Sequence, residues 1–409
     1  MKDALDFTKN AWRLNFYMFM SGQFVTKITS EVVSFALVWQ VIKETNSATM
    51  LALTELVYIV PTIALLPFVG PLADRMNKKF LIIAPDLVLA ALALVLAVVG
   101  YYFAYIPLAL IFVILFLRGI AASFQSPAVS SINPTIVPSD FITKAAGQSS
   151  MINQMSYLIA PAIAAAVFDA IPLYVIILFD VIGAVLGTIC TLLATIPSFK
   201  KDTKLQFIGD MKEGWGTLKS NKGVFQLVLV ISVYQIFNSP VGTMLPLLVT
   251  GYFHASFAQA GIVELCWSAG AMLGAFAIGA FGAGKNRLYL MVLSELILGL
   301  MFISIMFFPP NSNGYIAFAI LITTSAIIAS GINVPLNAIL QSKYPPEKLG
   351  SVMGIIMSIF TIPQPIGLLF AGPVIDAIGI QVMFSIVGVM AIILAIVMRV
   401  LPKVWAIDK

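Results

Sequence analysis

The chain has 409 residues; 60% are hydrophobic, 10% are charged, the net charge is +5 and the mean hydropathy is +1.01. Soluble domains average about 45–50% apolar and about 25% charged residues, so this composition excludes a water-soluble fold of the same length. Two cysteines (Cys190 and Cys266, both in apolar runs) and one histidine (His254) leave no disulfide framework and no zinc ligand set.

What remains is an all-α polytopic membrane protein. The apolar runs are continuous rather than alternating, which favours helices over a barrel. A spanning helix needs about 20 apolar residues. Twelve such runs are read, over residues 13–40, 48–70, 80–103, 105–126, 142–168, 172–196, 223–250, 257–281, 287–308, 314–340, 350–373 and 379–401. Polar or Pro/Gly joints divide them at Lys43–Ser47, Pro71–Lys79, Ile106-Pro107, Pro127–Asp140 and Pro309–Gly314. The opening segment Met1–Trp12 lacks a cleavable signal pattern, so the first span is expected to be retained.

In span one, Gln23, Lys27 and Glu31 follow each other at i, i+4 and i+8 and share a helix face. Such a stripe must turn toward a cavity or another helix, and Lys27 can pair with Glu31. The loop after span two reads Gly70-Pro71-Leu72-Ala73-Asp74-Arg75-Met76-Asn77-Lys78-Lys79. Gly70 and Pro71 suit a turn, Asp74 suits a helix N-terminus or a basic partner, and Arg75, Lys78 and Lys79 suit an inner-face loop. The alternative is a merely topogenic basic loop. Asp86 lies a little inside span three, where it can buttress the Asp74 loop. Arg118 in span four costs about 2.5–3.5 kcal/mol to insert and must face protein or water, or else snorkel to the inner interface. Pro161 predicts a kink in span five.

Residues 197–222 carry six lysines, with Ile208, Met211, Trp215 and Leu218 at helical spacing. This reads as an interfacial amphipathic helix joining two halves, against the plainer alternative of a solvated linker. In span eight, Glu264 lies on one strip with Ser268 and near Trp267, and Gly270, Gly274, Gly279 and Gly282 permit close helix contact. Pro363-Gln364-Pro365 predicts a broken helix in span eleven. The intramembrane ionisable residues are Lys27, Glu31, Glu55, Asp86, Arg118, Asp180, Glu264 and Glu295, with Glu55 and Asp180 read as nearer the outer surface. Each is a candidate for coupling or for structural pairing. Glu31 ranks first as the coupling carboxylate and Glu264 second, with Lys27 and Arg118 beside them. Gln23, Asn153, Gln154, Tyr234, Gln235, Asn238, Trp267, Asn333 and Gln364 are the candidate cavity residues. A few polar groups among aromatic and apolar walls fit a bulky amphiphile better than a sugar. His254 reads as a solvated loop residue.

The halves repeat. Phe168-Asp169-Ala170-Ile171 matches Ile375-Asp376-Ala377-Ile378, and Pro127 and Pro138 match Pro335 and Pro346, at an offset of 207 or 208 positions. This implies two pseudo-symmetric six-helix bundles, 1–196 and 223–409, joined by the linker 197–222, a form suited to alternating access. With the N-terminus cytoplasmic, 20 of the 23 basic residues fall on the inner side. Both termini are therefore placed in the cytoplasm, with the net charge facing anionic lipid rather than nucleic acid. No phosphate-binding loop, nucleophile elbow or zinc-protease pattern appears, so no enzyme activity, ATP drive, metal or cofactor is expected.

The loop at Asp74 resembles the signature between helices two and three of the major facilitator superfamily, with Asn77 in place of its second glycine. Ser21-Gly22-Gln23, Asp86-Leu87, Lys212-Glu213-Gly214, Asn221-Lys222-Gly223 and Pro365-Ile366-Gly367 resemble the bacterial macrolide-efflux proteins of its drug:proton antiporter group. Arg118 stands where such antiporters place an arginine associated with proton movement, but the Gly-Pro common in their fifth span is Ala160-Pro161 here. The resemblance implies a monomeric proton-coupled multidrug exporter in a bacterial plasma membrane, taking macrolide-like amphiphiles. It also implies a conformational latch at Gly70, Asp74, Arg75, Lys78 and Lys79. The alternative on the same fold is export or flipping of an endogenous siderophore, peptide or lipid.

Overall fold

The computed structural model describes residues 11–73, 77–138, 141–196, 207–282, 286–344 and 346–407. They form α1 (Ala11–Thr45), α2 (Ala48–Ala73), α3 (Lys78–Phe103), α4 (Leu108–Ile136), α5 (Ile142–Phe168), α6 (Leu173–Leu193), α7 (Phe207–Ser220) and α8 (Lys222–Leu247). After them come α9 (Phe257–Phe281), α10 (Arg287–Ser304), α11 (Ser312–Ser342), α12 (Pro346–Thr361), α13 (Pro363–Ile378), α14 (Ile380–Val400) and α15 (Pro402–Trp405). Twelve helical segments are long and apolar enough to cross a membrane. Phe103, Leu193, Phe276 and Phe370 are each more than half exposed, an apolar coat that lipid solvates and water does not. The chain is a multi-pass membrane protein with no strand among its described residues.

The joints supply the helix caps. Asn77 accepts the Lys79 amide at 3.0 Å, so the residue that departs from the superfamily signature starts α3. Asn221, Asn286 and Asn311 likewise accept amides of α8, α10 and α11 at 2.9–3.2 Å. Ser256 and Gln259 form a reciprocal capping box at the start of α9.

The chain divides into two compact units, Met1–Glu44 with Thr54–Lys204, and Thr45–Leu53 with Leu205–Lys409. The opening of α2 thus groups with the second unit. In the first unit, α3 packs along α6 and α4. Gly183 and Gly187 of α6 bring Thr29 and Thr26 of α1 so close that any side chain there would collide with them. A core of Trp12, Phe16, Phe19, Leu81, Ile82, Ala128, Ile132 and Ile136 closes one end of this unit.

In the second unit, α9 packs along α11 and α10 along α14. Gly270 and Gly274 lie against carbonyls of α11, as close packing requires, but Gly279 and Gly282 meet nothing, and Gly282 instead ends α9 at φ +80°. A core around Leu218, Leu227, Met291, Ile339, Val352 and Met398 ties α7 to the helices that follow it.

One expectation about prolines changes. The joint read from Pro127 is helical through Ile136, whereas Pro335 lies inside α11, within the span read over 314–340. Ala128, Ile132 and Ile136 form a buried stripe at four-residue spacing, Leu336, Ile339 and Leu340 form one at three and four residues, and that burial outweighs the proline penalty. Elsewhere the prolines do interrupt. Span seven passes through Pro240 and Pro246 into a π-turn at Leu248–Tyr252, and span eleven is broken between α12 and α13. Span five runs unbroken through Pro161.

Candidate functional site

The first unit buries a charged cluster. Arg118, on α4, is 5% exposed and does not snorkel. One guanidinium nitrogen pairs with Asp180 of α6; another reaches the Ser30 carbonyl at 2.6 Å, the Ser30 hydroxyl at 2.7 Å and the Ser34 hydroxyl at 2.9 Å. Asp180 is 7% exposed, lies level with Arg118 and also receives Ser30. Gly119 lets α4 touch the α2 backbone at Tyr58, and Thr62 donates to the Gly119 carbonyl at 2.9 Å. The guanidinium is thereby wedged between three helices, with its planar fork shared by a carboxylate and two serines.

Glu31 follows Ser30 and feels the charges of Lys27, Arg118 and Asp180, but forms no ion pair with Lys27. The Lys27 ammonium instead stands 5.0 Å from the centre of the Tyr157 ring. Glu55 and Tyr58 of α2 lie within electrostatic range of Glu31. The Nε2 of Gln23 is buried with no hydrogen-bond partner among the described residues. Asn153 and Gln154 are exposed on α5, one turn before Tyr157. Asp86 receives the Gln125 amide and is 4% exposed, so it is held by α4. Asp74 and Arg75, the centre of the expected latch, lie outside the described residues. Gly70 lies on α2, Lys78 opens α3, and Lys79 donates to the Leu192 carbonyl at 3.0 Å.

In the second unit the candidates spread over five helices. Tyr234, Gln235 and Asn238 are on α8, with Asn238 donating to Gln235 at 3.4 Å. Gln364 opens α13, where its carbonyl accepts Ser239 at 3.3 Å and Gly367 packs on the Ile236 carbonyl. Asn333 is exposed on α11 and donates within its own helix. Glu264 and Trp267 are half-buried on α9, and Glu264 has no hydrogen-bond or ion-pair partner among the described residues. Glu295 of α10, 2% exposed, takes the Tyr234 hydroxyl. His254 is exposed at φ +53° before α9, as a loop residue.

Buried charges inside spanning helices, on two units of this form, are features of a transport protein. A profile of the Major Facilitator Superfamily matches residues 19–363 and 227–405. The chain belongs to the Major Facilitator Superfamily. It is 32% identical to macrolide efflux protein A of Streptococcus pyogenes over 98% of each chain. It is 33% identical to the protein of that name from Enterococcus faecalis, over 79% of this chain and 100% of that one. A bacterial homologue of the human lysosomal transporter Spinster, solved in an inward-facing and unoccupied conformation, superposes with a TM-score of 0.76 at 13% identity, covering 98% of this chain and 99% of that one. The protein is thus a superfamily transporter related to macrolide-efflux proteins, and its relatives and fold point away from an enzyme.

Sequence reasoning passed over Ser30 and Ser34. The signal was present: Thr26, Ser30 and Ser34 form a hydroxyl stripe at i, i+4 and i+8, which aims at α6 and Arg118. It also passed over Asp376 as more than a repeat marker. Asp376 accepts Ser47, Ala48 and Thr49 at the start of α2.

Proposed function

We propose that this transporter expels bulky amphiphilic compounds, macrolide-like drugs among them, in exchange for protons by alternating access. The observation that carries the reading is the division of labour in the first unit. Arg118 is fixed by Asp180, whereas Glu31, next to Ser30 on α1, has no ion-pair partner among the described residues. A carboxylate already locked to a cation has no reason to exchange protons. One that feels several charges without being locked to any can bind a proton in one state and release it in another. The relatedness to macrolide efflux protein A supports the substrate class.

In this reading Glu31 couples and Lys27 and Arg118 set its field. Glu264, without an ion-pair partner among the described residues, takes the protonated amine of an incoming drug against Trp267. Gln23, Asn153 and Gln154 of the first unit and Tyr234, Gln235, Asn238, Asn333 and Gln364 of the second supply adaptable polar contacts. The segment from Gly70 at the end of α2, through Asp74 and Arg75, to Lys78 and Lys79 at the start of α3 acts as the conformational latch. The protein works as a monomer in a bacterial plasma membrane, both termini in the cytoplasm, with α7 and its lysines on anionic lipid.

The test is reconstitution into liposomes with an imposed pH gradient and a panel of macrolides, cationic dyes and fluorescent lipids. Macrolide and dye movement that collapses with the gradient supports the reading. Lipid movement alone would replace it with the flippase alternative, and gradient-independent drug movement would remove the proton.

A further inference from the structure

The second unit buries an acid that the coupling scheme above does not use. Glu295 lies in the middle of its span on α10, with α11 and α14 packed along that helix. The packing around it is tight. Gly331 of α11 lies against Ser294, and Gly299, one turn on, lies against the Gly388 carbonyl of α14. The Tyr234 hydroxyl of α8 hydrogen-bonds to the carboxyl group, and Oε1 is buried with no hydrogen-bond partner among the described residues.

Among the described residues no cation pairs with this acid. On α8 the charged or titratable groups besides Tyr234 are Lys222, at the first residue. On α10 they are Arg287 and Tyr289, six or more residues away and so about 9 Å or more along the axis. On α11 there is Tyr315 near the start, with Lys343 just past the end, and on α14 there is Arg399 in the last turn. An ionised carboxylate without a counter-charge at such depth is strongly disfavoured, whereas a neutral carboxylic acid accepting one hydroxyl is at home there.

Tyr234 is also the link to the rest of α8. It is followed by Gln235 and Asn238, and beyond them Pro240, Pro246 and the π-turn leave the helix without the backbone hydrogen bonds that would keep it straight. A bend there can draw the phenol away from Glu295.

We propose that Glu295 is a proton-binding site of the second unit, loaded while Tyr234 holds its carboxyl group and emptied to water when Tyr234 withdraws. The inference rests on proton coupling as proposed above, and it adds a second carrier to Glu31. Tyr234 is a positioning residue: its hydroxyl stays neutral throughout, and the proton leaves from the carboxylic acid.

The test separates the site from the coupling. Infrared spectra of the full chain in liposomes read the carbonyl stretch of protonated carboxylic acids without any substrate. The expected result is a band lost in Glu295→Gln, kept in Glu31→Gln and moved to higher frequency in Tyr234→Phe, which removes the hydrogen bond. Glutamine has the shape and neutrality of the protonated acid, so Glu295→Gln should fold. In a second arm, erythromycin and proton fluxes are measured together. Here Glu295→Gln should lower the number of protons moved per macrolide while macrolide still binds. A spectrum unchanged by Glu295→Gln would overturn the proposal. So would an unaltered proton-to-macrolide ratio in a wild type that does move protons. A wild type that moves macrolide without protons defeats the coupling reading instead, and leaves the infrared arm to decide whether Glu295 holds a proton.

Discussion

The carboxylate of Asp376 accepts the backbone amide of Ala48 at 2.7 Å, so a residue near the end of α13 caps a helix that begins more than three hundred positions earlier. The same carboxylate takes the Thr49 amide at 3.0 Å, so two of the backbone amides that the start of α2 would otherwise leave open are capped, and it also takes the Ser47 hydroxyl at 2.8 Å. Gly372, one turn before Asp376, lets α13 lie against the Thr49 backbone.

Removing this cap should be felt as a helix-cap loss. Asp376→Ala is expected to destabilise by about 0.5–2 kcal/mol. Asp376→Asn, which keeps the acceptor and drops the charge, should lose less. Thermal unfolding in detergent compares the two, and equal losses would show that charge rather than geometry holds the contact.

Arg118 and Asp180 should behave as a buried pair. Breaking it with Arg118→Gln or Asp180→Leu leaves one charge alone and is expected to cost about 3–5 kcal/mol, while Arg118→Met with Asp180→Leu should recover most of that. Arg118→Lys should not substitute, because an ammonium cannot reach Asp180, Ser30 and Ser34 with a planar fork. Melting temperatures of the four variants measure this. A double variant as unstable as the singles would mean that the serine contacts carry the stability.

Gly183→Val should disrupt the first unit, since its side chain would occupy the space of the Thr29 hydroxyl. Overpacking of this kind costs about 1–3 kcal/mol. Thr29→Ala in the same chain should relieve part of it, which a melting series of single and double variants can show. Gly279→Ala, where nothing lies nearby, should melt as the wild type does.

The fold was legible because membrane insertion demands long apolar runs, and these stand out in any window. Joint positions were legible wherever asparagine or serine caps a helix, as at Asn77, Asn221 and Ser256. Pro127 misled because its cost is local, while the buried stripe that overrides it depends on partners distant in sequence. Within the site, Arg118 and Glu31 announced themselves as charges in apolar surroundings. Which acid pairs with which base did not follow from spacing. Lys27 and Glu31 are one turn apart on one helix, yet Lys27 rests on Tyr157, and Arg118 finds Asp180, 62 positions away. Helix packing makes that choice, through small residues such as Gly119 and Gly183.

The unlocked state of Glu31 is the centre of the account, and one comparison tests it: pH-gradient-driven export of erythromycin by liposomes holding wild type, Glu31→Gln, Lys27→Met or both changes, with melting temperatures taken on the same preparations. Because Lys27 and Glu31 form no ion pair, Glu31→Gln should melt like the wild type and lose gradient-driven export, and adding Lys27→Met should not bring export back. Full export by a stable Glu31→Gln protein, or by the double variant, would contradict the assignment of coupling to Glu31.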